Sequence, residues 1–462
     1  MKINQLSSIF LLVVAYIIFS LYIYYSALID LYTIGIISIT ILITSLIVLF
    51  LQEKTLLSFN IIFLSMIYIF HLSHVVLIVM GIDRVLGYDQ RFYTTEYYYL
   101  QAVIYSIHIY FWMSIGMIVN NFRNKSKIIA INNTNSRRLL YTGIILAIVG
   151  IIPRLYIDVS KIILYIQGNY NYTRSFITSG LIVIMAKVFY IGLLTVMISL
   201  KRNKPMAKAI LFGVIIYNIL YMITGSRGES VIVILLFFFS YYTIIDKLKV
   251  KKIILLVFFG YFLLGVLSFI AETRNILDRD LDFMLKTFIS HLTSESPILR
   301  VLAELGVSIK TVFYSIEFIP SVKNHTYGLN YLESIVVILP NITGFIYNKV
   351  QDLTFIYNFP NHEIMGGSLV GEIYYSFGKL GFIFAFTIGF ISSSLNRIYR
   401  MSIKSQRYIQ SIITLLIFSS ALWWVRDYFY VMIREISWIT ILLLVVYKTF
   451  SINRISIIHS VR

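Results

Sequence analysis

The chain has 462 residues, 59% of them hydrophobic and only 13% charged, with a mean hydropathy of +0.84. A soluble domain carries about 25% charged residues, so this composition excludes an ordinary soluble fold and defines a polytopic membrane protein. Cysteine is absent, which excludes a disulfide framework, a thiol nucleophile and a thiolate-bound metal.

Apolar runs predict helices near 6–26, 33–51, 57–80, 99–119, 139–157, 179–200, 209–224, 231–245, 253–270, 370–395, 409–425 and 435–450. Each is long enough to cross a bilayer or nearly so, about twelve spans in all. The first run follows Lys2 without a small-residue cleavage site, as expected of an anchor rather than a removed signal peptide.

The net charge of +18 could suggest a nucleic-acid partner, but its distribution says otherwise. With the N-terminus inside, basic residues fall in alternate turns: Arg123, Lys125, Lys127, Arg137 and Arg138, then Lys201, Arg202, Lys204 and Lys208. Lys247, Lys249, Lys251 and Lys252 follow, then Arg397, Arg400, Lys404 and Arg407, then Arg454 and Arg462. That is the positive-inside pattern, so the surplus charge orients the chain and no nucleic acid is expected.

On this topology the outer loops are 81–98, 158–178, the short turn GSRGES at 225–230, a long excursion at 271–365, and WVRDYFYVMIRE at 424–435. The excursion divides the chain into membrane helices 1–9 (1–270), one large extracytoplasmic loop (271–365) and helices 10–12 (366–462). A polar stretch that long needs water or a folded cap. Helical spacing of apolar residues at 283–293 and 298–318 predicts two amphipathic helices along the surface. The run in 325–345 is short enough to be partly re-entrant.

Arg227 is the sharpest single residue. Gly225 and Gly228 let the backbone turn closely around it, and a guanidinium presents a planar fork suited to phosphate oxygens. The next helix begins within a few residues, so its N-terminal amides also favour an anion. The alternative is an interfacial arginine that snorkels or pairs with Glu229. Arg274, beside Glu272, and Arg426, beside Asp427, also stand at outer helix ends, where each could be an anchor or an ion-pair partner. Together with Arg227 they could converge on one diphosphate.

Gly366, Gly367 and Gly371 open a helix that carries Glu372. A carboxylate there faces low dielectric and is suited to accept a proton from an alcohol, with His362-Glu363 nearby as a further base and orienter. Alternatively Glu372 pairs with Lys379 or an arginine within the bundle. His325 and Arg300 are further polar candidates on the excursion. His71 and His74 share one face of an apolar helix, but no facing carboxylate pattern completes a metal site. The LDRDLD run at 277–282 lacks the glycine and terminal glutamate of a calcium loop. The expectation is a metal-independent site with no cofactor.

TGSRGES (224–230), YGLNYLESIVVILPN (327–341) and GGSLVGEIYYSFGKLG (366–381), in that order around one large loop, resemble the Wzy-type polymerases of bacterial surface polysaccharides. These motifs cover about a tenth of the chain, and the topology covers all of it. The resemblance implies an all-α, GT-C-like membrane glycosyltransferase in the bacterial inner or plasma membrane, with both termini cytoplasmic. It would move a growing glycan from one polyprenyl diphosphate onto another lipid-linked repeat unit. Membrane lipid, and a chain-length regulator protein, would be its other partners. Arg227 and Glu372 match the family's arginine turn and motif glutamate; Arg274, Arg426, His325, His362, Arg300 and Glu272 rest on position and chemistry. The alternatives are a lipid-linked oligosaccharide flippase or transporter, which would favour internal repeats and broken helices, and a ligase using the same donor.

Overall fold

The computed structural model describes residues 30–82, 97–122, 136–167, 178–225, 227–246, 250–273, 281–293, 297–339 and 366–459, with a few isolated positions between them. Its elements are almost all helical. In order they are α1 (Leu31–Glu53), α2 (Phe59–Val79), α3 (Tyr97–Phe122), α4 (Ser136–Gln167), α5 (Gly180–Ser199), α6 (Lys204–Met222) and α7 (Arg227–Ser240). There follow α8 (Val250–Thr273), α9 (Leu281–Thr293), α10 (Pro297–Gly306), α11 (Ile309–Phe318), α12 (Leu329–Val336), α13 (Leu369–Phe377), α14 (Gly381–Lys404), α15 (Tyr408–Trp424) and α16 (Phe429–His459). Between α2 and α3, β1 (Arg84–Val85) and β2 (Tyr88–Asp89) pair antiparallel, Arg84 opposite Asp89.

Among the described residues nine helices are long and apolar enough to cross a membrane. Of the other three expected spans, two correspond to shorter apolar helices, Gly260–Ile270 and Tyr408–Trp424. The third, 6–26, falls almost wholly outside the described residues.

The chain forms two compact units. One comprises residues 1–127, 302–398 and 421–434; the other comprises 128–301, 399–420 and 435–462. In the first, α3 and α14 cross at glycines. A Cβ on Gly116 would stand 2.1 Å from the Phe386 carbonyl, and one on Gly389 would stand 2.0 Å from that of Met113. Small residues let backbones approach where lipid supplies no hydrophobic drive. Asn120 Nδ2 then donates across the same crossing to the Phe390 carbonyl and Ser394 Oγ, each at 2.6 Å. In the second unit Gly143 and Gly150 of α4 meet α5 in the same way, where a Cβ would lie 2.7 Å and 2.3 Å from backbone nitrogen.

Two boundaries differ from the sequence expectation. The helix expected at 139–157 runs on to Gln167 through Pro153, so the loop expected from 158 begins later. Arg154 and Asp158, at helical i,i+4 spacing, pair across the turn beyond the proline and favour its continuation. The single amphipathic helix expected at 298–318 is broken into α10 and α11. Gly306, at the break, packs so tightly on α2 that a Cβ would lie 2.3 Å from the His74 ring.

The eight residues of α12 cannot span a bilayer. Leu329, Leu332, Ile335 and Val336 are exposed on it, while Asn330 and Ser334 are buried on its other face.

Candidate active site

The first unit builds a polar site around the start of α13. Ser368 caps that helix, accepting from the Gly371 amide at 3.1 Å. The same hydroxyl meets His71 Nε2 at 2.7 Å, and His71 Nδ1 lies 3.0 Å from the Ile67 carbonyl. His74 Nε2 donates to the Ala303 carbonyl at 2.8 Å. The two histidines thus fasten α2 to the site and to α10. Among the described residues no group of three His, Cys, Asp or Glu could hold a metal.

The glycines before α13 serve close packing. A Cβ on Gly366 would lie 2.9 Å from the Arg426 carbonyl, and one on Gly367 2.6 Å from the Asp427 carbonyl carbon. The chain at 366–369 therefore runs directly along 425–428, and the Leu369 amide donates to the Val425 carbonyl at 3.3 Å.

This contact sets the surroundings of Glu372, which is 2% exposed. Its Oε2 accepts from the Trp424 indole at 2.7 Å and from the Phe429 amide at 3.1 Å. Phe429 is the first residue of α16, so the carboxyl group sits at a helix N-terminus, where backbone amides and the helix dipole favour negative charge. Glu372 thereby ties α13 to both ends of the 425–428 loop.

Tyr331 roofs the same spot, its ring 5.0 Å from Phe429 and 6.4 Å from Trp424. Burial, reinforced by the nearby Glu372 charge, pushes its phenol well above the usual tyrosine range. Asn330, beside it, accepts from Thr326 Oγ1 and Ser376 Oγ, both at 2.8 Å.

Arg426 stands on this loop, exposed, with its guanidinium 5.8 Å from the Phe70 ring. The neighbouring Asp427 accepts from the Trp423 indole at 2.5 Å and the Tyr428 amide at 2.8 Å. Half-buried His325 packs on the other end of α13, its Nδ1 3.1 Å from the Tyr374 carbonyl. Two left-handed glycines, Gly328 (φ +86°) and Gly378 (φ +53°), let the chain press against Phe377 and His325 respectively. Glu372, His325 and Arg426 are thus gathered around one short helix and the loop it carries.

The second unit holds Arg227 and Arg300. Gly225, at φ +89°, makes the turn that only glycine adopts easily. Arg227 is the first residue of α7 rather than a member of a free turn, and its Nη1 donates to the Leu267 carbonyl at 3.0 Å. Arg300 is buried in α10. Glu272 lies in the last turn of α8 with its side chain outside the described residues, and Arg274, His362 and Glu363 lie outside them altogether.

A buried charge cluster in this unit escaped the sequence reading. Arg154, 2% exposed, donates from Nε to Asp158 at 2.7 Å and from Nη1 to Glu229 at 2.5 Å. The Tyr221 and Tyr190 rings flank its guanidinium at 4.6 Å and 4.9 Å. Tyr217 donates its hydroxyl to the same Asp158 oxygen. The signal was legible as two charges four residues apart in an apolar run, but the expected helix end at 157 placed Asp158 in a loop.

A helical chain with nine candidate spans among its described residues, and ionisable groups buried within them, is a multi-pass membrane protein. It belongs to the family of the O-antigen polysaccharide polymerase Wzy, whose model matches residues 8–454. No curated protein and no solved structure matches the chain. Membership makes it a repeat-unit polymerase of glycosyltransferase type, with lipid-linked oligosaccharides as substrates in a membrane.

Proposed function

We propose that the chain extends a surface polysaccharide at the outer face of the bacterial inner or plasma membrane. The donor is a glycan on polyprenyl diphosphate, and the acceptor is a second lipid-linked repeat unit. An acceptor hydroxyl oxygen forms a bond to the donor's anomeric carbon, the bond from that carbon to the diphosphate breaks, and polyprenyl diphosphate leaves. The hydroxyl proton passes to Glu372 or His362. Because the leaving group is already activated, catalysis needs orientation and charge stabilisation, which arginines supply without a metal.

The observation that carries this reading is the family match across almost the whole chain. Arg227, Arg274 and Arg426 are the proposed diphosphate ligands. His325, Arg300 and Glu272 are the proposed acceptor-side groups. For Glu372 to act as a base, an acceptor hydroxyl donates to its carboxyl group alongside the Trp424 and Phe429 donors. In this reading the chain crosses the membrane twelve times in a GT-C-like arrangement with cytoplasmic termini, is divided into 1–270, 271–365 and 366–462, and has a chain-length regulator as an additional partner.

Deletion in the host tests it. Loss of a polymerase leaves single-repeat surface glycan on a gel; loss of a flippase leaves none, and loss of a ligase leaves lipid-linked polymer.

A further inference from the structure

The helix turn that begins at Arg227 is held by Arg154, a residue of α4 far from it in the sequence. Glu229 lies in the first turn of α7, two residues after Arg227. Its carboxylate receives Arg154 Nη1 at 2.5 Å, while Arg154 Nε is committed to Asp158 at 2.7 Å. Both contacts come from one rigid, planar fork, so they fix the direction as well as the distance of Glu229.

The surrounding groups hold the fork still. Tyr221 of α6 and Tyr190 of α5 flank it, and Tyr217 of α6 donates to Asp158 from a further side. The Tyr190 hydroxyl is itself anchored on Asn218 Oδ1 at 3.1 Å. Thr173 Oγ1 donates to the Thr224 carbonyl at 3.3 Å, bracing the chain just before the turn. Four helices, α4 to α7, thus meet on one guanidinium that is bonded to the first turn of α7. A charge at membrane depth is costly and is retained where it has a task.

We propose that Arg154 is a positioning residue for the diphosphate-binding turn: by holding Glu229 it fixes the first turn of α7 and the aim of the Arg227 guanidinium. The inference rests on the reading of Arg227 as a diphosphate ligand. It assigns Arg154 no contact with substrate.

The test uses the full chain in membranes of a host lacking its own copy, supplied with a lipid-linked repeat unit at matched protein amounts. Arg154→Lys keeps a charge but offers one ammonium in place of the fork. The expected result is a KM for the repeat unit raised on the order of tenfold or more, as a displaced binding group predicts. In an Arg227→Lys background the same change adds no further loss, because both act through one group. A native KM in Arg154→Lys, or losses that multiply in the double variant, overturns the inference. A native KM in Arg227→Lys alone removes the reading beneath it, and the inference falls with that reading. If Arg154→Lys fails to accumulate, Glu229→Gln enters the same cycle with the same expected and overturning results.

Discussion

Trp424→Phe removes one donor from the Glu372 carboxyl group and keeps most of the ring packing, so it separates two roles that glutamate could have. The lost contact is a 2.7 Å indole hydrogen bond between side chains 4% and 2% exposed. Hydrogen bonds between helices in membranes average about 0.6 kcal/mol and reach about 1.7. Leaving a buried acceptor short of a partner costs about 1–3 kcal/mol. A loss of about 1–2 kcal/mol in holding the 425–428 loop follows, because the Phe429 amide still holds the carboxyl group at 3.1 Å. If all of it reached the rate, polymerisation would fall about 5–30-fold. Removing a general base costs about 10²–10⁴-fold.

The assay is the initial rate of repeat-unit incorporation in membranes containing equal amounts of each variant. The proposed base role predicts that Glu372→Gln loses at least about a hundredfold and that the double variant is no worse than Glu372→Gln alone. Equal, modest losses in Glu372→Gln and Trp424→Phe would refute it: Glu372 would then be a fastener of the Arg426 loop and the base would lie elsewhere.

Other outcomes follow from the same geometry. Arg227→Ala, made at normal level, leaves single-repeat surface glycan on a gel; native chain lengths would exclude it as a diphosphate ligand. Gly389→Val drives a side chain into a backbone contact already at 2.0 Å for a Cβ alone. It should lower stability by about 1–3 kcal/mol in a detergent-unfolding titration, and an unchanged midpoint counts against that crossing. Single cysteines at Leu332 or Ile335, placed in a chain that has none, should resist a water-soluble maleimide if the exposed face of α12 lies in lipid; rapid labelling puts it in water. Chelation with EDTA should leave polymerisation unchanged, and a loss restored by a divalent cation would end the metal-independent proposal.

The sequence carried the helices well, because an apolar run of bilayer length leaves few alternatives to helix. It also carried the glycines at 366–371, of which Gly366 and Gly367 approach residues 426–428 too closely for a larger residue, while Gly371 faces Thr311 and Ser315. The partners were less legible. Trp424 lies 52 residues from Glu372 and Ser368 lies 297 from His71; no local period links residues so far apart. The Arg154 cluster was hidden because the helix expected to end at 157 left Asp158 in a loop, whereas α4 runs on and its charges find partners on a neighbouring helix. His71 and His74 share a helix face with no carboxylate pattern to complete a metal site, but their partners, Ser368 and Ala303, lie 297 and 229 residues away and no local period shows them.

Chain growth between two lipid-linked repeat units is the proposed reaction. Purified full-length chain in lipid vesicles, given only polyprenyl-diphosphate-linked repeat unit, should yield a ladder of products spaced by one repeat, with free polyprenyl diphosphate released in step. Movement of the repeat unit across the vesicle membrane without a ladder, or transfer that occurs only when a different acceptor is added, would contradict it.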